Sequence, residues 1–283
     1  MNYRHEFHAG NFADVLKHAV LVRTLLYLCR KDKPFRVIDT HAGAGLYDLS
    51  GPEAARSGEA RDGILRLLEG ADLGEAAELL APYLDAARAA GAPRLYPGSP
   101  LIAQSLLRRQ DRALFCELLP EAAQALRRAV GRDARVKQME IDGYAGLKAF
   151  VPPKERRGLV LIDPPFERRD EYERLFDAAV AAIRKWPTGV FIVWQPVKEP
   201  EIAGAFCRAL AAQAPGWLRI ELQVETPAQG RPLARTGLTV VNPPYVLEDE
   251  MKCILPALAS ALARGLGAEF SIERGGAAEH GAR

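Results

Sequence analysis

Short apolar runs that stop at turn residues or acids alternate along this chain with stretches whose apolar positions recur at helical spacing. The runs predict strands at Phe35 to Gly45, Arg112 to Leu118, Arg135 to Tyr144, Gly158 to Phe166, Gly189 to Val197, Trp217 to Glu225 and Arg235 to Tyr245. Helical patterns lie between them, among them Pro120 to Val130 and Asp170 to Lys185. Asn11 with Asp14 three residues on marks a helix start near the N-terminus, and the apolar run behind it carries that helix to about Arg30. Strands alternating with helices predict a doubly wound α/β fold. The last two strands flank a turn around Gly230 to Pro232, so they can pair as an antiparallel hairpin beside five parallel strands.

One interval is too long for this plan. Asp39 and Glu117, both at strand ends, are 78 positions apart, whereas a βαβ unit places its second acid about 20 residues past the first loop. Residues 46–97 therefore read as an insertion with helices at Ser57 to Leu68 and Leu73 to Ala90, closed by the turn Tyr96 to Pro100. The displaced helix then restarts near Gly98, with Ser99 as its N-cap and Pro100 at the first helical position.

Candidate chemistry sits where strands end. The run Gly158 to Ile162 stops at Asp163-Pro164-Pro165-Phe166, at the edge of an open sheet where ligands gather. An ionised Asp163 and the Pro164 carbonyl are both acceptors, and together they can take both hydrogens of an exocyclic amino group. Phe166 offers a stacking face worth roughly 1–3 kcal/mol to a base. A strand followed by a proline turn explains the tetrapeptide about as well until its surroundings are considered. Those surroundings are a Gly-bearing loop from His41 to Gly45, Glu117 placed to accept from ribose hydroxyls, and Asp142-Gly143 placed to meet an adenine ring. Asn242 to Tyr245, NPPY, spells the same pattern a second time, but after the last strand rather than the fourth.

The first 36 residues hold Arg4, Lys17, Arg23, Arg30, Lys31, Lys33 and Arg36 against Glu6, Asp14 and Asp32, and basic pairs stand at Arg127/Arg128, Arg156/Arg157 and Arg168/Arg169. Arg168 and Arg169 follow the DPPF loop, where phosphate contacts are useful. His5, His8, His18 and His41 fall in the first 41 residues. His5 and His8 lack a carboxylate or thiolate set to complete a metal site, and His18 has a ready partner in Asp14 one helical turn away. Cys29, Cys116, Cys207 and Cys253 are scattered without paired spacing, which suggests neither zinc nor a disulfide framework. With no long apolar segment and no signal sequence, the expectation is a soluble, cytoplasmic protein.

The opening YRHxFHAGNxADVLKH, the DTHAGxGxY loop, the YPGSP turn, Glu117, IDGY and LIDPPF resemble the RlmJ family of 23S ribosomal RNA adenine-N6 methyltransferases, over essentially the whole chain. The resemblance implies a class I S-adenosylmethionine-dependent methyltransferase fold, Rossmann-like and seven-stranded. Its domain would span residues 1–45 and 98–270, with an N-terminal segment at 1–33, a helical insertion at 46–97 and a flexible tail at 271–283. It implies S-adenosyl-L-methionine as cofactor, 23S ribosomal RNA as partner, no metal, no membrane and a monomer. The implied cofactor contacts are His18, His41, Ser99, Glu117, Asp142, Gly143 and Asp163, with Asp163, Pro164 and Phe166 catalytic. Tyr3, His5 and Lys17 match substrate-pocket positions. Phe166 departs from the family's DPPY by losing only a hydroxyl. DNA adenine methyltransferases share the motif, but they need a target-recognition segment, for which this insertion is short. Protein glutamine methyltransferases share it too, without a use for the basic N-terminus. A nicotinamide oxidoreductase would leave DPPF unexplained, and a non-catalytic RNA-binding protein would account for the basic clusters alone.

Overall fold

Asn11 starts the first helix as its sequence requires: its side-chain oxygen accepts from the Asp14 backbone N–H at 2.9 Å, capping α1 (Phe12–Cys29). That helix is buried nearly all round and runs through the middle of the core. The computed structural model describes residues 4–228 and 233–276. Along the chain α1 is followed by β1 (Arg36–Asp39), β2 (Leu46–Asp48), α2 (Pro52–Ser57), α3 (Ile64–Leu68), α4 (Ala76–Ala90), β3 (Leu95–Pro97) and α5 (Ser99–Leu106). Then come β4 (Arg112–Glu117), α6 (Pro120–Val130), β5 (Val136–Glu140), α7 (Gly143–Phe150), β6 (Gly158–Ile162) and α8 (Glu171–Lys185). The remainder is β7 (Val190–Pro196), α9 (Pro200–Ala211), β8 (Gly216–Gln223), β9 (Arg235–Val241), α10 (Leu247–Ala261) and β10 (Glu269–Gly276).

The main sheet has the order β10-β8-β9-β7-β6-β1-β4-β5. β5, β4, β1, β6 and β7 are parallel neighbours, and β9 inserts antiparallel between β7 and β8. This is the class I methyltransferase arrangement with one strand added. α1, α4, α5 and α10 pack on one face, and α7, α8 and α9 on the other. β8 and β9 pair as the sequence predicts, whereas the turn expected at Gly230 to Pro232 lies outside the described residues.

Three expectations change. The sheet has eight strands rather than seven, because β10 pairs antiparallel with β8, from Glu269↔Gln223 to Gly276↔Gly216. Residues 271–276, expected in a flexible tail, thus cover an edge whose backbone groups would otherwise lack partners; residues 277–283 lie outside the described part. Of the helix expected at Ser57 to Leu68 only Ile64–Leu68 forms, as α3; Ser57 instead closes the earlier α2, which Gly58 ends in the left-handed region at φ 68°. The strand expected to reach Tyr144 stops at Glu140, because Asp142 caps α7 by accepting from Ala145 N–H at 2.9 Å.

The 46–97 segment is bracketed by its own two-stranded sheet, in which Leu46 faces Pro97 and Tyr47 faces Tyr96. Between these strands, α4 turns Ala76, Leu80, Tyr83 and Leu84 into the same core as α1 and α10. The insertion therefore shares its apolar interior with the sheet-bearing part of the chain.

Candidate functional site

The carboxyl ends of β1, β4, β5 and β6 bring Asp39, Glu117, Asp142 and Asp163 to one edge of the sheet. Two clefts open there, about 580 Å³ and about 600 Å³ in volume. Both are walled by His5, Lys17, Asp163, Pro165 and Glu167, so they meet at the DPPF acid.

The first cleft is lined by His18, His41, Gly43, Ser99, Glu117, Asp142, Gly143 and Tyr144, among others. Glu117 holds the β1 loop by accepting from Gly43 N–H at 2.8 Å and from Leu119 N–H at 2.7 Å. A carboxylate has about four acceptor sites, so two remain for a ligand. Gly43 takes φ 63°, and a Cβ at Gly143 would stand 2.3 Å from the Thr40 carbonyl oxygen. Only glycine lets the start of α7 close against the β1 loop in this way. The His41 ring meets Tyr144 edge to face at 5.3 Å, and Tyr144 donates to Glu171 at 2.6 Å.

Burial governs two imidazoles of this wall and the Asp39 carboxyl behind Ser99. It pushes the His18 imidazole down to about 3 and that of His41 down to about 4, so both are neutral at pH 7. It pushes the Asp39 carboxyl up to about 6, against the stabilising hydrogen bond from Ser99. His18 Nδ1 lies 2.7 Å from the Tyr96 hydroxyl, which lies 2.8 Å from the Tyr83 hydroxyl, and both tyrosines are fully buried. His18 Nε2 is buried without a hydrogen-bond partner among the described residues. The Asp14 partnership expected for His18 is absent, because Asp14 is already committed to His5, Gly10 and Lys17.

The second cleft carries His5, His8, Asn11, Asp14, Lys17, Phe166, Trp194 and Lys198 in its wall. Phe166 adopts φ 48°, the left-handed region, and its ring is held edge-on by Tyr172 at 4.9 Å and Trp194 at 5.7 Å. Those supports are fixed in turn: Tyr172 donates to the Pro196 carbonyl at 2.8 Å and Trp194 Nε1 donates to Thr236 at 2.7 Å. Lys17 donates to Asp163 and, at 2.8 Å, to Asp14, so the DPPF acid is tied to α1 by a lysine from 146 positions upstream. Burial disfavours charge on both Asp14 and Lys17, yet their mutual attraction, with Asp163 beside the lysine, outweighs it. The Asp14 carboxyl is thereby held well below the usual range and the Lys17 ammonium well above its own.

The structure brings together His5, Lys17, His18, His41, Ser99, Glu117, Asp142, Gly143 and Asp163 around the first cleft, and Phe166 stands in the second. Tyr3 lies outside the described residues. Ser99 departs from its expected role: Gly98 is the N-cap of α5, and the Ser99 hydroxyl donates to Asp39 at 2.6 Å. Sequence reasoning gave no site role to Asp39, Tyr83 or Tyr96, whose hydrogen bonds reach Ser99, each other and His18, and it read Asp14 only as part of a helix start and as a partner for His18. One member of each basic pair has a partner within the fold: Arg127 faces Glu140, Arg168 pairs with Asp170 at 2.9 Å, and Arg157 donates to the Leu28 and Lys33 carbonyls.

NPPY lies at the other edge of the sheet, since β9 runs antiparallel to β7 and Val241 pairs with Phe191 near the start of β7. Asn242 takes φ 51° and donates to the Pro187 and Gly189 carbonyls, both at 2.7 Å, while Tyr245 is 67% exposed.

A family model described as Ribosomal RNA large subunit methyltransferase D, RlmJ, matches residues 32–272. The chain is 40% identical over 263 residues to Ribosomal RNA large subunit methyltransferase J of Escherichia coli (strain K12), covering 93% of this chain and 94% of that protein. It is 42% identical over 264 residues to the protein of the same name from Haemophilus influenzae, with the same coverage, 93% of this chain and 94% of that protein. A crystal structure of a Legionella pneumophila protein, 35% identical, superposes with a TM-score of 0.87 and covers 95% of this chain and 98% of its own. The chain belongs to the RlmJ family of ribosomal RNA large subunit methyltransferases.

Proposed function

We propose that this enzyme transfers a methyl group from S-adenosylmethionine to the N6 amino group of an adenine in 23S ribosomal RNA. The observation that carries the reading is the meeting of two clefts at Asp163, one walled by acids and close-packed glycines, the other by a braced aromatic ring. One suits a nucleoside cofactor and the other an extruded base. Its relatives' names speak for ribosomal RNA over the DNA alternative.

The first cleft fits the cofactor on its own geometry. Glu117 has acceptor sites left over for ribose hydroxyls, and Asp142 stands beside the Gly143 approach, suited to the adenine. His18 Nε2 is an orphan buried polar atom in the same wall. With Nδ1 accepting from Tyr96, Nε2 carries the hydrogen and suits the carboxylate of the methionine end. When bound, S-adenosylmethionine supplies an electrophilic methyl group on a positively charged sulfur.

The chain's own work is on the acceptor. An adenine N6 lone pair is delocalised into its ring, so the nitrogen is a poor nucleophile. Lys17 occupies Oδ2 of Asp163, which leaves Oδ1 and the Pro164 carbonyl to accept the two N6 hydrogens. Accepting them favours a pyramidal nitrogen and stabilises the positive charge that develops there. Asp163 is then the first acceptor for the proton that the methylated nitrogen must lose. Extruding a base costs a few kcal/mol, least in unpaired RNA. Stacking on Phe166, roughly 1–3 kcal/mol, offsets part of that.

Labelled methyl transfer to deproteinised 23S RNA, intact ribosomes and DNA, measured in parallel, tests the reading. Label is expected in RNA as N6-methyladenine, and label in DNA alone would overturn it.

A further inference from the structure

Asp14 lies outside the DPPF loop, yet it is 2% exposed and its carboxylate is the common partner of three groups. It accepts from Gly10 N–H at 2.9 Å and from Lys17 Nζ at 2.8 Å, and His5 Nε2 lies 3.1 Å from it. Lys17, 4% exposed, spends two of its three hydrogens on carboxylates, one on Asp14 and one on Asp163. One carboxylate therefore holds the segment before α1 and the DPPF loop in register.

This lysine poses an electrostatic problem for methyl transfer. A cation against Asp163 cancels the negative charge that must face N6 as that nitrogen becomes positive, and cancels it most effectively in a water-poor site. Asp14 removes the problem. With it, the three ionised groups carry one net negative charge, and without it they carry none.

We propose that Asp14 is a positioning residue for methyl transfer: it clamps the Lys17 ammonium and offsets its charge, so that Asp163 keeps a net negative field toward the acceptor nitrogen. The inference rests on the reading that Asp163 faces an acceptor amino group. It assigns to Asp14 a role exercised only through Asp163.

Single-turnover transfer to 23S RNA is measured for Asp14→Asn, Asp163→Asn, the double variant and Asp14→Glu, with cofactor affinity followed by calorimetry. Asp14→Asn is expected to lower the transfer rate about 100-fold, as loss of one electrostatic contributor does. Cofactor affinity should stay within about threefold of wild type, since the charge acts on the acceptor side. In the Asp163→Asn background, Asp14→Asn should change the residual rate little, because the two act as a unit. A wild-type rate in Asp14→Asn, or an equal factor lost in both backgrounds, overturns the inference. A wild-type rate in Asp163→Asn sinks instead the functional reading beneath it. Should Asp14→Asn fail to fold, Asp14→Glu decides, since it keeps the charge. The inference requires at least about a tenth of the wild-type rate there, and less overturns it.

Discussion

DPPF and NPPY both follow a buried strand, both set two prolines between a polar residue and an aromatic ring, and both hold a residue in the left-handed region, Phe166 at φ 48° and Asn242 at φ 51°. Their surroundings separate them. Asp163 faces two clefts and a buried lysine; Asn242 spends its amide hydrogens on two backbone carbonyls at the start of β7. Phe166 is braced by two aromatic side chains, whereas Tyr245 is mostly exposed with Tyr27 at its edge. A motif of this kind acquires chemistry from the strand end that presents it. The parallel strand β6 delivers DPPF to the edge where Glu117 and Asp142 already stand, and the antiparallel strand β9 delivers NPPY to the opposite edge.

The comparison breaks first, if it breaks, on the polar residues. Asp163→Ala is expected to lower transfer by a factor of about 1,000 or more, with cofactor still bound, since both the acceptor and the field are lost. Asn242→Ala should leave the transfer rate unchanged and cost about 1 kcal/mol of stability, as one exposed and one part-buried backbone carbonyl lose their donor. Equal loss of transfer in the two variants, read with labelled cofactor, would erase the distinction. Glu117→Ala is expected to weaken cofactor binding by about 10- to 100-fold in calorimetry through loss of charge-assisted hydrogen bonds. No change at Asn242→Ala is expected in the same titration.

The aromatic pair gives a smaller effect. Phe166→Leu should cost about tenfold in kcat/KM for RNA, because a stacking face is lost. Phe166→Tyr should stay near wild type, and Tyr245→Leu should not register. The smallest and most diffuse contrast is in acid. His18 and His41 titrate near 3 and 4 when folded, below their unfolded value of 6.5, so the unfolded chain binds more protons once the pH falls below that value. Stability is expected to fall as pH drops from 6.5 toward 4. Asp39, raised to about 6 from 3.8, opposes them: its contribution is full below 3.8 and is lost as pH rises through 6. His8, raised above 6.5 by its hydrogen bond to Glu59, opposes them as well, but the two large downward shifts outweigh both and leave a net loss on acidification. Thermal unfolding from pH 7 to 5 should show it, with a flatter profile in His18→Gln and a uniform downward offset in Asn242→Ala.

Much of this was legible in the sequence, because an apolar run that ends at an acid marks both a buried strand and the place where it emerges. Asp163, Glu117 and Asp142 were placed at strand ends in that way, and the cap at Asn11 was read from the Asn11/Asp14 spacing. The helix cap at Ser99 was missed by one residue: Gly98 takes the capping backbone, and the hydroxyl finds Asp39 instead. β10 was missed because its residues are mostly exposed and alternate weakly, and its reason for being a strand is the open edge of β8. Asp14 was visible only as part of a helix start and as a helical neighbour of His18. Its true partners include a lysine that reaches an acid 146 positions away, which no local spacing encodes.

The tyrosines at 83 and 96 constrain what can be done with the inserted segment. Their hydroxyls lead to His18, so a residue that lines the first cleft is held by residues that a modular view would call accessory. A shortened insertion, or one exchanged between relatives, has to bring both hydroxyls to the same place. Otherwise the imidazole is left with two open nitrogens in a dry site. Compatibility of such chimaeras should follow these two phenols more closely than overall identity across residues 46–97.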